Sequence, residues 1–180
     1  MSRRRRNEAR DLIAVDYAAL SQAARLAAAL RTLDPWFSHV GVADPEIDRL
    51  IEHLWAYPTI TCKTFAAWES SVDDCDVLDM ALGYDMPERL IAKCRELGVS
   101  ADHLRTAIAS TTEIVYSSLY AAVSDGLTLE ELASLEQLTR QCGLRLPPAE
   151  FYRSSPFSER HGAGHVMTVE EIKAWRDTAW

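Results

Sequence analysis

A chain of 180 residues, 48% hydrophobic and 26% charged, has the length and composition of one globular domain able to bury a substantial core. Setting aside the four arginines of positions 3–6 takes its net charge from −8 to −12, and so acidic a body disfavours nucleic acid as a direct ligand, since phosphate recognition needs a basic surface. No stretch approaches the roughly 18 uncharged apolar residues of a membrane helix, and no apolar signal core follows the basic first ten residues, so the sequence reads as a cytoplasmic protein without a secretion signal.

Residues 1–7, with Arg3, Arg4, Arg5 and Arg6, read as a basic disordered tail; residues 8–180 read as one helical domain. A first helix is expected over 8–33, with Ile13, Tyr17, Leu20, Ala24, Ala27 and Leu30 as its stripe. Asp16, Gln22, Arg25 and Arg31 interrupt that stripe, and Asp34-Pro35 is expected to end the helix. The connector 34–43 carries Trp36, Phe37 and His39 and should pack on the body. Asp44-Pro45 opens a second helix over 45–57, where a first-turn proline costs nothing because its missing N–H would lack a partner anyway. Ile47, Leu50, Ile51, Leu54 and Trp55 form its apolar face. Residues 61–70, with Phe65 and Trp68, suit a short helix, and 71–86 read as irregular.

A third helix runs from Pro87 to before Gly98, turning Leu90, Ile91, Cys94 and Leu97 inward. A fourth starts at the cap Ser100 and continues to Ser124, with the stripe Leu104, Ile108, Thr111, Val115, Leu119 and Ala122; Gly126 follows as a stop. Thr128 and Glu131 form a capping box for a fifth helix, which buries Leu129, Leu132, Leu135, Leu138 and Cys142 and closes at Gly143. Residues 144–167 hold three prolines and two glycines and keep no helical period. Phe151, Tyr152 and Phe157 should fasten this segment across the body, bringing Arg153 or Arg160 to Glu113. Thr168 caps a last helix over 169–179 that presents Ile172, Trp175 and Ala179. The expectation is an all-α single-domain bundle of six or seven helices, cored by the second, fourth and fifth, with a long non-helical segment before the last.

Chemistry is harder to read. There is no phosphate loop, dinucleotide fingerprint, His-Glu-x-x-His or Gly-x-Ser-x-Gly, and no cofactor is indicated. Cys62, Cys75, Cys94 and Cys142 form no Cys-x-x-Cys pair and read as free, buried, reduced thiols. Asp73, Asp74, Asp76 and Asp79 resemble the aspartate-rich magnesium motif of helical terpene synthases. Their place in an expected loop, the missing second motif and the short chain favour instead a solvated acidic loop, or one that faces a basic partner. His161 and His165 have a spacing seen in zinc sites, but on a glycine-rich stretch rather than a helix, so a tight turn is the better account. Glu113 lies mid-helix near Thr106, Ser110, Tyr116, Ser117 and Tyr120 at helical spacings. It reads as a buried acid or base, an anchor for the C-terminal segment, or an exposed glutamate. His53 and His103 sit on polar helix faces and should be solvated.

The block Ile47-Asp-Arg-Leu-Ile-Glu-His-Leu-Trp55, then Phe65-Ala-Ala-Trp68, Thr112-Glu-Ile-Val-Tyr-Ser-Ser-Leu-Tyr120 and Phe151-Tyr-Arg-Ser-Ser-Pro-Phe-Ser-Glu-Arg-His-Gly162 resembles small helical proteins of high-GC bacteria. Some of those are similar to immunity proteins of contact-dependent or polymorphic toxin systems. The resemblance spans roughly residues 45–162 and implies a stoichiometric binder that occludes a partner protein without turnover; the acidic body suits a basic partner through electrostatic steering. The expected binding surface comprises Asp73, Asp74, Asp76, Asp79, Glu113, Tyr116, Tyr120, Arg153 and Arg160. The alternative is a small helical enzyme or biosynthetic accessory protein with Glu113, His161 and His165 lining a cleft.

Overall fold

A computed structural model describes residues 16–119 and 122–179. The basic tail, Ile13 and the rest of 8–15, and Tyr120 lie outside the described residues. Eight α-helices fall within them: α1 (Gln22–Val40), α2 (Pro45–Ala56), α3 (Phe65–Glu69), α4 (Asp76–Ala81), α5 (Glu88–Leu97), α6 (Ala101–Tyr116), α7 (Asp125–Thr139) and α8 (Val169–Asp177). The protein is an all-α bundle with a long non-helical stretch between α7 and α8. No strand forms among the described residues; Leu20 and Pro156 make one isolated antiparallel bridge.

Helix α1 is the axis of the bundle. Ser21 caps it, its hydroxyl accepting the Ala24 N–H at 3.2 Å. Every residue from Ser21 to Leu30 is buried, so the helix has no solvent face here. Five alanines in that stretch let its neighbours come close on all sides. The expected stop at Asp34-Pro35 is overturned: α1 passes through Pro35 to Val40 and closes on Gly41, whose φ of 74° is the left-handed cap. An interior proline costs about 3 kcal/mol. Burial of Leu33 and Trp36 on either side of it, about 1.5–3 kcal/mol each, offsets that cost.

The largest helix interface joins α6 to α7; α1 packs on both, and α4 closes over α6. The core therefore rests on α1 together with the second, fourth and fifth helices expected from sequence, α2 burying Ile47, Leu50, Ile51, Leu54 and Trp55. Residues 71–86 are not irregular throughout: Val77 and Met80, both fully buried, place α4 one turn of apolar surface against α6. Helix α6 stops at Tyr116, well short of Ser124. The Ser117 hydroxyl donates to the Glu113 carbonyl at 2.6 Å and the Ser118 hydroxyl to the Val115 carbonyl at 3.2 Å, competing for acceptors a continued helix needs. Helix α7 starts four residues early, capped by Ser124 through the Leu127 N–H. Thr128 is thus a buried helical residue rather than a cap, and Gly126 lies in the first turn rather than at a stop. Leu97, Ala122 and Ala179 are exposed, not inward. Thr168 and Glu171 do form a reciprocal capping box at α8.

The stretch 144–167 lies along α1 as a strap. The Ser21 N–H donates to the Ser155 carbonyl and the Phe157 N–H to the Ala19 carbonyl, each at 2.9 Å; the Met167 N–H donates to the Pro58 carbonyl at 2.9 Å. Tyr152 is fully buried and meets Trp175 of α8 edge-on, ring centroids 5.2 Å apart.

Candidate functional site

Two local structures carry chemistry: an aromatic-walled cleft under the strap, and an exposed acidic turn between α4 and α5.

The cleft is built from the end of α2 and the connector to α3. Pro58 terminates α2 in a 3-10 turn, Tyr57–Thr59, and leads into the exposed loop that carries Cys62. Tyr57, Pro58, Ile60, Phe65 and Leu119 form its apolar floor, Thr61, Cys62, Arg160, Ala163 and His165 its rim, and the buried Ser118 its back. Its volume is about 270 Å³. A buried polar network fixes the back wall: the Tyr57 hydroxyl donates to Gln22 Oε1 at 2.7 Å, while Gln22 Nε2 donates to the Ser118 hydroxyl and the Ile114 carbonyl. Burial pushes the Tyr57 hydroxyl above its ordinary range. Behind the floor stands Trp68, with the Tyr57 and Phe65 rings each 5.8 Å away.

His53 belongs to this wall, contrary to the expectation of a solvated residue. It is 5% exposed, lies flat on Trp68 with centroids 4.1 Å apart, and places Nδ1 2.9 Å from the Ser71 hydroxyl and Nε2 2.9 Å from the Tyr116 hydroxyl. Burial first, then the positive charge of Arg49, lower its pKa to about 4, so the ring is neutral at pH 7. His103 is exposed as expected.

On the rim, the strap takes an uncommon backbone path. Arg160 and His161 have φ of 45° and 55°, in the left-handed region that non-glycine residues rarely occupy. Glu159 pins the loop by accepting both the His165 N–H, at 3.2 Å, and the His165 ring, whose Nδ1 is 3.0 Å away. His165 Nε2 lies 3.4 Å from Glu171. His161 is exposed and lines neither this cleft nor the two acidic grooves, one beside α1 and α2 and one beside Pro147.

Glu113 lines none of the three either. It is half-buried and faces Glu131 of α7; burial first, then that like charge, raises its pKa. Neither expected arginine reaches it. Arg153 lies 3.6 Å from Glu150 at the surface, and Arg160 donates to the Gly164 carbonyl. The strap is held instead by backbone hydrogen bonds and buried apolar groups.

The acidic segment is split. Asp76 and Asp44 share Arg89, which holds Asp44 below the usual carboxylate range, and Arg49 donates to the Ser71 and Asp73 carbonyls. Asp73, Asp74, Asp79, Asp85 and Glu88 remain exposed. Between them the α4–α5 turn carries Leu82 and Tyr84, the latter 68% exposed. Arg105 fixes that turn through the Tyr84 carbonyl at 2.8 Å. Among the described residues no group of three histidine, cysteine or acidic side chains is arranged to hold a metal ion. Of the cysteines only Cys75 and Cys94 are buried; Cys62, expected to be buried, is exposed because the loop after Ile60 turns it outward.

Sequence reasoning missed Arg25 altogether, treating it as an interruption of an apolar stripe. It is fully buried, and all five guanidinium N–H groups find acceptors: the carbonyls of Tyr17, Ala18 and Asp125, the Thr128 hydroxyl and the Asp125 carboxylate. Phe157 of the strap covers its plane at 5.0 Å. No signal along the chain could have found this, because the Asp125 and Thr128 partners lie 100 and 103 residues away. No protein-family model, curated protein or solved structure matches this chain.

Proposed function

We propose that the protein is a stoichiometric, immunity-type binder that occludes a basic partner protein in the cytoplasm without catalysis. The observation that carries this reading is Tyr84, standing 68% exposed beside Leu82 within a turn rimmed by Asp79, Asp85 and Glu88. An exposed tyrosine is the kind of side chain on which binding energy concentrates. The surrounding carboxylates suit steering of a basic surface, as does the net charge of −8. For the enzymatic alternative, His165 lines the cleft under the strap, while Glu113 opens onto none of the three described clefts and faces another carboxylate.

The test is a titration against the protein encoded by the adjacent gene, by calorimetry at low and high salt. A one-to-one complex is expected, weakening with salt and losing at least tenfold in affinity on Tyr84→Ala with the melting temperature unchanged. Absence of a complex, or a complex indifferent to Tyr84→Ala, would refute the reading.

A further inference from the structure

The cleft under the strap is a second site, independent of the acidic turn. Its lining differs from that of the other two clefts in charge. The groove beside α1 and α2 is lined by Asp34, Asp48 and Glu52, and its Arg176 is bound to Glu52. The one beside Pro147 is lined by Asp16, Glu136 and Glu150 against Arg145 and an Arg140 that is bound to Glu136. The cleft under the strap has no carboxylate among its described lining residues, although the chain carries 27 acidic residues, and it has two basic ones, Arg160 and His165.

These two are not equivalent. His165 is engaged by Glu159 and Glu171 on its two ring nitrogens. Arg160 has no carboxylate within ion-pairing distance among the described residues; its hydrogen bond to the Gly164 carbonyl is a long one, 3.5 Å. Glu159, its sequence neighbour, is turned away by its two contacts with His165. The strained backbone at Arg160 and His161 sets the guanidinium at the rim, where its charge lowers the Tyr57 hydroxyl against the larger effect of burial. Below it lies an apolar floor walled by two aromatic rings. An apolar cavity of about 150 Å³ holds a benzene molecule. The volume here, about 270 Å³, accommodates a ring together with an attached polar group.

We infer that this cleft binds a small aromatic carboxylate, with its ring against Tyr57, Phe65 and Leu119 and its carboxylate on the Arg160 guanidinium. Planar carboxylate and planar guanidinium meet through two parallel hydrogen bonds, which a neutral amide cannot reproduce. The Thr61 hydroxyl adds a polar group at the rim, while the Ser118 hydroxyl is committed to Gln22 and the Val115 carbonyl.

The full-length protein is titrated with benzoate and with phenylacetate, and separately with benzamide, following backbone amides and the Trp68 indole by two-dimensional NMR. Saturable shifts confined to Thr61, Cys62, Leu119, Ala163 and Trp68 are expected at millimolar benzoate or phenylacetate, with benzamide at least tenfold weaker. Arg160→Gln should lose at least tenfold of the carboxylate affinity while its spectrum stays that of the folded protein, since Arg160 is exposed. Alkylation of Cys62 by iodoacetamide, a neutral reagent, should slow in the presence of either carboxylate. Shifts that do not saturate or that fall elsewhere, equal binding of benzamide, or undiminished binding by Arg160→Gln would each overturn the assignment.

Discussion

The His53 ring lies on the Trp68 indole at 4.1 Å with 15° between their planes, and the Trp68 Nε1–H donates to the His53 carbonyl at 2.9 Å. One residue of α2 therefore holds α3 by both its ring and its backbone. The arrangement requires a neutral imidazole, because a protonated ring in this pocket would be desolvated and near Arg49.

That requirement predicts a pH dependence. The folded pKa, about 4, is below the ordinary value of 6.5, so the unfolded chain takes up a proton first as pH falls. The stability associated with neutral His53 is complete above pH 6.5 and is lost as pH falls from there toward 4. At about 1.4 kcal/mol per unit the loss is roughly 3 kcal/mol. Urea unfolding between pH 7 and about 4.5 checks it by comparison with His53→Gln, which cannot titrate. The variant should lose less stability across that window by about this amount; parallel curves would show that His53 does not govern it.

Arg25 gives a prediction of larger size. Removing the guanidinium in Arg25→Met leaves the Thr128 hydroxyl, three carbonyls and the Asp125 carboxylate short of a donor. A cost of about 3–5 kcal/mol is expected from several buried acceptors that each lose a donor, Asp125 itself being half exposed and hydrated. Arg25→Lys should also destabilise, since three rotatable donors cannot reach five fixed acceptors. Denaturation midpoints measure both, and a lysine variant as stable as the parent would show the fork to be unnecessary.

Two glycines should respond with opposite signs. At Gly164, φ is 89° and an added Cβ would fall 2.6 Å from both the Ser155 and Ser21 hydroxyl oxygens. The strap could then not close on the α1 cap, and Gly164→Ala should cost several kcal/mol through strain and lost contacts. Gly126, in the first turn of α7, has nothing within 4 Å of an added Cβ. Gly126→Ala should stabilise by about 0.5–1 kcal/mol. Melting temperatures of the pair decide the matter.

These sites show what the sequence could and could not disclose. Local chemistry was legible: Asp44 before Pro45, the reciprocal Thr168 and Glu171, and Gly98 and Gly143 in left-handed closing positions all act within a few residues of themselves. Element ends decided by competition were not. Pro35 should break a helix by local rules, and burial of Leu33 and Trp36 overrides them. Buried polar residues were invisible for the same reason. Gln22, Arg25 and His53 look like surface positions on a helical wheel, and only Ile114, Asp125, Ser71 and Tyr116, distant along the chain, make them interior. The cleft shares this origin, because it joins residues 57–65 to 118–119 and 160–165. A period search finds one face of one helix and cannot find a concavity assembled from three connectors.

The strap supplies the last prediction. Truncation after Leu146 removes Tyr152, Met167, Ile172 and Trp175, all buried, and leaves the fully buried Ser21 N–H without the Ser155 carbonyl. It also uncovers the Arg25 guanidinium by taking away Phe157. Loss of two buried aromatics alone costs several kcal/mol, at about 3–5 kcal/mol for each large-to-small change in a core. Against a typical total stability of about 5–15 kcal/mol, the truncated chain should be largely unfolded or melt far below the intact protein. Circular dichroism melting measures this directly. A truncated chain with the intact melting temperature would mean that α1, α6 and α7 complete their core without the strap, and that its contacts with Ser21 and Ala23 contribute little to the fold.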